Sequence, residues 1–291
     1  MIDPRAGALR DLLTGRLIAA TLTPRSPDGI DPDVLKAYFD GLVADGVEAL
    51  AVAAHTGRGP FLSLAERDLV VSVARRVGVP VLVGVNGDGD HASAQAARAA
   101  DLGADGVLVF ASSGEIVAHH DAIWRAAGLP MIAFDLYLNP YPPADLAELM
   151  RHPGVAGLKV ARLHDAIACQ AGIATARAAG RLAVTGEDRM FGPSLMWGAQ
   201  TALVGLAAAA VETTAATLRA WRERRFADFV AASARTDALA EATFTEPVDG
   251  YVQRMQWIAA TEGRIPPSHA TDPHAPDLPA GEQDRVVEAA R

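Results

Sequence analysis

The feature that most constrains the fold is an alternation of eight short apolar runs with amphipathic stretches over the first 222 residues. The runs are rich in Val, Leu, Ile and Ala and hardly alternate with polar residues, which is typical of strands buried on both faces of a parallel sheet. The intervening stretches have helical spacing. The runs lie at 17–23, 48–54, 80–85, 106–110, 130–135, 154–160, 182–186 and 201–206.

Capping residues mark the ends of the predicted helices. Asp33 and Ser93 are predicted N-caps, because a short polar side chain there can accept a hydrogen bond from a free backbone N–H. Glycine follows five of the amphipathic stretches, where helices commonly end. These glycines are Gly46, Gly78, Gly103, Gly128 and Gly180.

Eight strands with helices between them predict an α/β fold, a (β/α)8 TIM barrel over residues 1–222. A doubly wound dinucleotide-binding sheet is disfavoured, because residues 20–29 read ATLTPRSPDG and contain no G-x-G-x-x-G after the first strand. Residues 223–291 contain no further strand and predict a C-terminal helical extension. Its last part, from about 264, is rich in Pro and charge and is predicted to be mobile.

The composition of the chain indicates which kinds of binding partner are disfavoured. A net charge of −9 and a pI near 5.3 argue against nucleic acid and membrane surfaces, which require clustered basic residues. Cys169 is the single cysteine, so no internal disulfide can form. The sequence shows no secretory leader pattern at its start and no apolar run of membrane-spanning length. We therefore expect a cytoplasmic protein that acts on a small molecule.

Lys159 is the residue whose chemistry is most informative. The chain has 26 basic residues, of which only Lys36 and Lys159 are lysines. Lys159 ends the sixth apolar run, GVAGLKV, where a charge is costly. Period-two alternation predicts that Val155, Gly157 and Lys159 share the face toward the barrel interior, with Gly157 leaving space beneath the lysine.

A lysine at the C-terminal mouth of a barrel lies where the active sites of such barrels are found. Burial there lowers the pKa of the amine, and a neutral amine can attack a ketone to form a Schiff base, which arginine cannot do. The alternative is a lysine that extends to solvent or pairs with Asp165. Position alone leaves both interpretations open.

The chain resembles the dihydrodipicolinate synthase and N-acetylneuraminate lyase superfamily over roughly residues 14 to 222. The matching segments are ATLTPRSPDGIDPDVLKAYFDGLVADGVEAL, HTGRGPFLSLAERDLVV, GVPVLVGVNGDGDHASAQAARAADLGADGVLV, GVAGLKVA and VTGED. Their order and spacing are more specific than any one of them. The resemblance implies that Lys159 forms the imine and that no cofactor beyond this covalent Schiff base is needed.

The resemblance also implies the residues around the substrate. Thr56 and Gly57 would offer hydroxyl and backbone N–H groups to the carboxylate of a 2-oxo acid, and Arg58 is either a further contact or an outward-facing residue. Glu187 and Asp188 would contact substrate hydroxyls or cap a helix. The predicted substrate-binding set is Thr56, Gly57, Phe134, Asp135, Gly186 and Glu187.

Three departures from the family pattern argue against dihydrodipicolinate synthesis and sialic acid cleavage. The strand-five tyrosine that relays protons in those enzymes is Phe134 here, in IAFDLYLNP. The first threonine of the strand-two loop is His55, and the glutamate of that loop is Arg58. The aromatic pair after strand four, which reaches a neighbouring subunit in the synthase, is replaced by ASSG at 111–114.

Candidates to replace the missing tyrosine are His55, Asp135 and Tyr137. His55 is the predicted proton carrier, because its ordinary pKa suits proton transfer near neutrality. No spacing indicates a metal site. The segment NGDGDH at 86–91 fails the calcium-loop pattern. His119 and His120 are adjacent on a helix, where side chains diverge, and are predicted to face solvent.

The predicted function is a metal-independent class I lyase acting on a 2-oxo acid through Lys159. The reaction is either retro-aldol cleavage releasing pyruvate or dehydration of a 2-keto-3-deoxy acid, since both pass through an enamine formed from the imine on Lys159. The alternative is a keto-acid-binding protein without turnover. The resemblance also implies a homo-oligomer, either a tetramer or a dimer, although the altered 111–114 segment changes that interface.

Overall fold

Eight parallel strands form a closed barrel, as the alternation of apolar runs predicts. The structure, a computed structural model, describes residues 1–291. The strands follow one another around the barrel in chain order, and β8 pairs with β1 to close it. They are β1 Leu17–Ala20, β2 Ala49–Val52, β3 Val81–Val85, β4 Gly106–Phe110, β5 Met131–Leu136, β6 Val155–Ala161, β7 Leu182–Thr185 and β8 Thr201–Val204. Each strand falls on one of the eight predicted runs.

Helices follow the strands and continue beyond the barrel. They are α1 Pro4–Leu13, α2 Pro32–Ala44, α3 Leu64–Arg75, α4 Gly89–Asp101, α5 Ile116–Ala127, α6 Pro143–Leu149, α7 Ala166–Ala178, α8 Phe191–Met196, α9 Val211–Arg222, α10 Phe226–Thr243, α11 Tyr251–Thr261 and α12 Glu282–Ala289. Short 3₁₀ turns lie at Gly59–Phe61, Leu206–Ala208, Val248–Gly250 and Pro267–His269. None of the helices is both long and apolar enough to cross a lipid bilayer.

The two predicted N-caps are wrong by a few residues. The carboxylate of Asp31, not Asp33, accepts the first free N–H groups of α2, because Pro32 is already in the first helical turn. α4 begins at Gly89, after Asp88, so Ser93 lies within the helix. The predicted glycines at the helix ends are confirmed, since all five have positive φ angles just after a helix.

Side chains of the strands form two layers. One set fills the barrel and is closed off at the N-terminal end by Ala6, Leu9 and Leu13 of α1, a helix that the sequence analysis did not predict. The other set packs against the surrounding helices. The interior set contains Ile18, Ala20, Ala49, Ala51, Leu82, Leu108, Phe110, Ile132, Phe134, Leu136, Ala156, Ala161, Leu182, Val184 and Leu203.

A bulge at the start of β6 changes the predicted faces of that strand. Met131 pairs with Val155 but Ile132 pairs with Gly157, which leaves Ala156 as the extra residue. As a result Val155 packs in the outer layer and Ala156 in the interior, the reverse of strict alternation. Beyond the bulge the alternation holds, so Lys159 faces the interior as predicted.

The C-terminal segment packs on the barrel, in contrast to the predicted mobility from about residue 264. Ile265, Ala270 and Val286 are buried in the main apolar core. Arg254 of α11 is fully buried and pairs with Glu282 of α12 at 2.9 Å. Its guanidinium also donates to backbone carbonyls of the segment between α10 and α11. The packing of this segment could not be predicted from its Pro-rich composition, because only a few dispersed side chains attach it to the rest of the protein.

We expect Glu282→Ala to destabilise the protein by about 3–5 kcal/mol, because it removes the carboxylate that pairs with a fully buried guanidinium. Chemical denaturation followed by circular dichroism measures the change. Glu288→Ala, at an exposed position of the same helix, is the matched control and should shift stability by less than about 0.5 kcal/mol. Equal effects of the two substitutions would show that the Arg254–Glu282 pair does not hold α12 in place.

Candidate active site

A cleft opens at the C-terminal end of the barrel strands, and Lys159 lies in its wall. The cleft encloses about 490 Å³, including its open mouth. Strand ends and following loops supply most of its walls, and the C-terminal extension supplies Phe244, Val248 and Tyr251. This location is the one where (β/α)8 barrels place their reactive groups.

The side chain of Lys159 is held by its neighbours on the two adjacent strands. Phe134 is its partner across the β5–β6 ladder, and Lys159 Nζ lies 4.1 Å from the centroid of the Phe134 ring. On the other side, a Cβ atom at position 186 would lie 2.5 Å from Lys159 Cε. Gly186, rather than the predicted Gly157, therefore leaves the space that the lysine stem occupies.

The surroundings of Lys159 favour the neutral form of its amine. Only 5% of its surface is exposed, and Nζ makes no hydrogen bond or ion pair, whereas Lys36 is paired with Asp40. Burial lowers the pKa of Lys159 to about 8, against the opposing influence of Asp188 and Glu187. A larger fraction of this amine is neutral near pH 7 than of an exposed lysine, which favours attack on a carbonyl carbon.

Two carboxyl groups, both predicted from the VTGED segment, lie in the cleft beside the lysine. Burial raises the pKa of Glu187 to about 8 and that of Asp188 to about 6. Glu187 accepts the backbone N–H of Leu163, and Asp188 accepts those of Gly205 and Leu206 at 3.1 and 2.7 Å. Glu187 is thus mainly a neutral acid near pH 7, able to donate a hydrogen bond.

His55, Thr56 and Tyr251 form a hydrogen-bonded group in the same cleft. His55 Nδ1 lies 2.9 Å from Tyr251 Oη, and Tyr251 Oη donates to Thr56 Oγ1 at 3.2 Å. Burial lowers the pKa of His55 to about 4, so the ring is neutral at physiological pH. The group joins the loop after β2 to α11 of the C-terminal extension.

The loop after β2 is held tightly, which fixes His55 and Thr56. Ala53 has a φ of 50°, and its carbonyl oxygen lies where a Cβ of residue 59 or residue 84 would be, so glycine is required at both positions. The buried Arg67 donates to the carbonyls of Gly59 and Gly84. This buried guanidinium stabilises a backbone shape that the tight contacts alone would strain.

Gly57 packs behind Thr56 against β1 and does not line the cleft with its Cα. Its carbonyl accepts the hydroxyl of Thr23 at 2.9 Å, and a Cβ there would lie 2.9 Å from the Thr21 carbonyl oxygen. The backbone N–H groups of Thr56 and Gly57 make no hydrogen bond within the protein. Two backbone donors next to His55 are therefore without a partner in the protein.

Two predicted residues do not reach the cleft. Asp135 alternates with the interior residues of β5 and points outward, where it pairs with Arg162 at 3.0 Å and accepts the Tyr141 N–H. Its predicted roles in substrate binding and proton transfer are therefore wrong. Arg58 turns toward the C-terminal segment and pairs with Asp272 at 2.6 Å.

The prediction that His119 and His120 face solvent is also wrong. Their exposures are 8% and 0%, because α5 packs against both of its neighbours, α4 and α6. His120 Nδ1 lies 2.8 Å from the Ile116 carbonyl oxygen, and Nε2 lies 3.4 Å from Tyr141 Oη. No group of three or more His, Cys, Asp or Glu residues in the chain is arranged to hold a metal ion.

Sequence reasoning missed Tyr251 and Phe244, which come from the C-terminal extension. Neither belongs to a strand-end motif, and the segments on which the sequence analysis based the resemblance end near residue 222. One signal was available. Tyr251 is the only tyrosine beyond residue 141 in a chain with 4 tyrosines.

Comparisons with known proteins place the chain among its relatives. A sequence model of the dihydrodipicolinate synthetase family matches residues 13–286. The 4-hydroxy-tetrahydrodipicolinate synthase of Acidiphilium cryptum is 28% identical over 254 residues, covering 79% of this chain and 82% of that protein. The protein of the same name from Stenotrophomonas maltophilia is 33% identical over 159 residues, 50% of this chain and 54% of its own length.

Solved structures share the fold. A prophage protein of the dihydrodipicolinic acid synthase family from E. coli K12, crystallised with pyruvate, superposes with a TM-score of 0.85 at 21% identity, covering 95% of this chain and 97% of that one. N-acetylneuraminate lyase from Fusobacterium nucleatum superposes with a TM-score of 0.81 at 17% identity, covering 96% and 98%. At these identities the likeness supports the barrel with its C-terminal helices.

The lowered pKa of Lys159 predicts how its reactivity depends on pH. Reductive methylation with formaldehyde and cyanoborohydride should label Lys159 with a rate that rises with pH and reaches half its plateau near pH 8. Peptide mass spectrometry distinguishes the site from Lys36, the only other lysine, which serves as an internal reference. A Lys159 rate still rising steeply above pH 10 would contradict a desolvated amine.

The raised pKa of Glu187 predicts a loss of stability with rising pH. The folded state holds the Glu187 proton up to about pH 8 and the unfolded state releases it near 4.5, so stability falls between these values by at most about 1.4 kcal/mol per pH unit. Glu187→Gln should remove this part of the slope between pH 5 and 8. Lys159 contributes above pH 8, outside this window.

Denaturation midpoints of the parent and of Glu187→Gln, determined at pH 5, 6, 7 and 8, measure the difference in the pH dependence of stability. Glu288→Gln, at an exposed position, is the control and should keep the slope of the parent. A slope that Glu187→Gln leaves unchanged would mean that Glu187 is ionised throughout this range.

Proposed function

Because this chain belongs to the dihydrodipicolinate synthetase family, a family of Schiff-base-forming lyases and synthases, we propose that it is a lyase that acts on a 2-oxo acid through an imine on Lys159. The observation that carries the proposal is the buried, unpaired Nζ of Lys159 at the mouth of the barrel. The pKa of this amine, lowered to about 8, supports nucleophilic attack at neutral pH.

In the proposed reaction, Lys159 Nζ adds to the keto carbon to give a carbinolamine, which loses water to form the imine. The protonated imine accepts the electron pair released when a bond two atoms away breaks. Cleavage of the C3–C4 bond, with the proton of the C4 hydroxyl released to solvent, would give an aldehyde and leave the enamine of pyruvate. Loss of water from a 2-keto-3-deoxy acid would start from the same kind of imine: removal of the C3 proton would give the enamine of the intact substrate, which would expel the C4 hydroxyl as water. Both reactions stay within the proposal.

The free N–H groups of Thr56 and Gly57, with the Thr56 hydroxyl nearby, would hold the carboxylate of the substrate. Glu187, as a neutral acid, would donate to a substrate oxygen farther from the carboxylate. The half of the cleft lining that is apolar, including Phe134 and Leu163, would exclude water from the imine. No metal or organic cofactor takes part in the proposed reaction.

The proposed substrate is different from that of dihydrodipicolinate synthesis and from sialic acid. The Acidiphilium cryptum relative carries the name of the synthase at 28% identity, which supports the family and leaves the substrate open. Phe134 supplies no hydroxyl beside Lys159, where the resemblance places a proton-relaying tyrosine in the synthase and the sialic acid lyase. A distinct arrangement of proton donors favours a distinct substrate.

Absence of a hydroxyl at Phe134 also favours a second candidate function, a keto-acid-binding protein that forms the imine without turnover. Retro-aldol or dehydratase activity on any member of a panel of 2-keto-3-deoxy acids would exclude it.

We further propose a cytoplasmic homo-oligomer, either a tetramer or a dimer. Multi-angle light scattering tests the assembly.

Incubation with pyruvate and borohydride is the experiment that tests the imine. We expect one stable adduct per chain by intact-mass spectrometry, mapped to Lys159 in peptide digests. Lys159→Arg should give no adduct, because arginine keeps the charge but cannot form an imine.

Lys36→Arg is the matched control and should be trapped like the parent, since Lys36 lies on the exposed face of α2 in an ion pair. An adduct on Lys36 alone, or none with pyruvate and longer 2-oxo acids, would reject the Schiff-base function. Circular dichroism of Lys159→Arg checks that the barrel still forms.

A further inference from the structure

The proposed imine chemistry needs a group that moves protons, and Phe134 cannot supply one. Imine formation requires a proton for the leaving hydroxyl, and enamine formation requires removal of a proton from C3 of the substrate. Four side chains with O–H or N–H groups other than carboxyls and charged amines face the cleft. They are His55, Thr56, Tyr137 and Tyr251.

Tyr251 is the phenol placed for this task. It is buried, and its hydroxyl donates to Thr56 Oγ1 at 3.2 Å while lying 2.9 Å from His55 Nδ1. Its ring is stacked between Phe244 and His55, with centroid distances of 4.8 and 5.7 Å. These contacts fix the direction of Oη toward Thr56 Oγ1 and His55 Nδ1.

Tyr137 has different contacts. Its hydroxyl donates to Asp249 Oδ1 at 3.3 Å, which directs it to the C-terminal segment. That carboxylate competes for the proton that a donor to the substrate would have to give. Tyr137 therefore serves better as a tie across the mouth than as a proton donor.

We propose that Tyr251, hydrogen-bonded to Thr56 and His55, is the proton-transfer residue for the imine on Lys159, in place of the hydroxyl that Phe134 lacks. The inference rests on the proposed function, because it assigns a residue to that chemistry. The residue comes from the C-terminal extension of the same chain.

The charges of the group require a concerted transfer. Burial raises the pKa of Tyr251 above its ordinary value and lowers that of His55 to about 4, so neither phenolate nor imidazolium is favoured. When the carbinolamine C–O bond breaks, Thr56 Oγ1 gives its proton to the leaving hydroxyl, which departs as water. Thr56 is then reprotonated by Tyr251 Oη, and Tyr251 by His55 Nδ1.

His55 takes up a proton at Nε2 from solvent in the same step, so the ring changes tautomer and stays neutral. His55 is the only one of the three residues that is not fully buried, which allows this uptake. For enamine formation the chain runs in reverse. The C3 proton enters the chain, the C–H electron pair forms the C=C bond, and His55 Nε2 releases a proton to solvent.

Exchange of the methyl protons of pyruvate for deuterium in D₂O, followed by proton NMR, measures this transfer without knowledge of the natural substrate. We expect Tyr251→Phe to slow the exchange catalysed by the protein by about a hundredfold or more. The amount of imine that borohydride traps at equilibrium should stay as in the parent, because a relay changes rates and not the equilibrium. A merely structural loss would lower both.

Tyr141→Phe is the matched control for loss of a buried phenol hydroxyl, because Tyr141 Oη bonds to the Val109 carbonyl oxygen outside the cleft. It should exchange at the rate of the parent. Adding Phe134→Tyr to Tyr251→Phe should restore part of the exchange by returning a hydroxyl beside Lys159. Thr56→Ser should keep the exchange and Thr56→Val should lose it, which tests the chain should Tyr251→Phe fold poorly.

The outcomes separate the two claims. If the parent traps pyruvate but Tyr251→Phe exchanges at the rate of the parent, the relay is rejected and the Schiff-base function stands. If Tyr137→Phe abolishes exchange while Tyr251→Phe does not, Tyr137 carries the proton and the assignment to Tyr251 is wrong. If the parent forms no imine at all, both claims fail.

Discussion

Desolvation of one amine is the constraint on which the site depends. Lys159 is held between the ring of Phe134 and the open space at Gly186, with no counter-ion on Nζ. The cost of burying this charge lowers the pKa to about 8, and the same dry environment raises the pKa of Glu187 and Asp188. Burial disfavours the charged form of all three side chains. Near pH 7 the pocket therefore contains a nucleophilic amine, Lys159, and a neutral acid, Glu187.

The C-terminal extension completes this pocket, so its attachment to the barrel is part of the site. Arg58, on the loop after β2, pairs with Asp272 and donates to the backbone carbonyl of Asp249. The fully buried Arg254 pairs with Glu282 and so fixes α11 against α12. These ties set the position of Tyr251 against Thr56 to within hydrogen-bond distance, which a helix packed by apolar contacts alone would not guarantee.

Features of the fold that follow from hydrophobic periodicity and from the order of the strands could be predicted from the sequence. Eight apolar runs predict the barrel, and Lys159 at the end of the sixth run must face its interior once the alternation near that end is regular. The bulge at Ala156 could not be predicted, since it depends on how β5 and β6 pair. Asp135 was assigned to the wrong face of β5 for a related reason. It directly follows Phe134, and adjacent residues of a strand point to opposite faces. Tyr251 was out of reach because its contact with Thr56 joins residues 195 positions apart.

In the proposed mechanism, Tyr251 carries out the proton transfer for which Phe134 has no hydroxyl. Burial lowers the pKa of Lys159, and the ring that lies beside its amine, Phe134, carries no hydroxyl. The phenol of Tyr251 on α11 lines the same cleft, and its hydroxyl donates to Thr56 Oγ1. Protons would then reach the substrate from the side of its carboxylate.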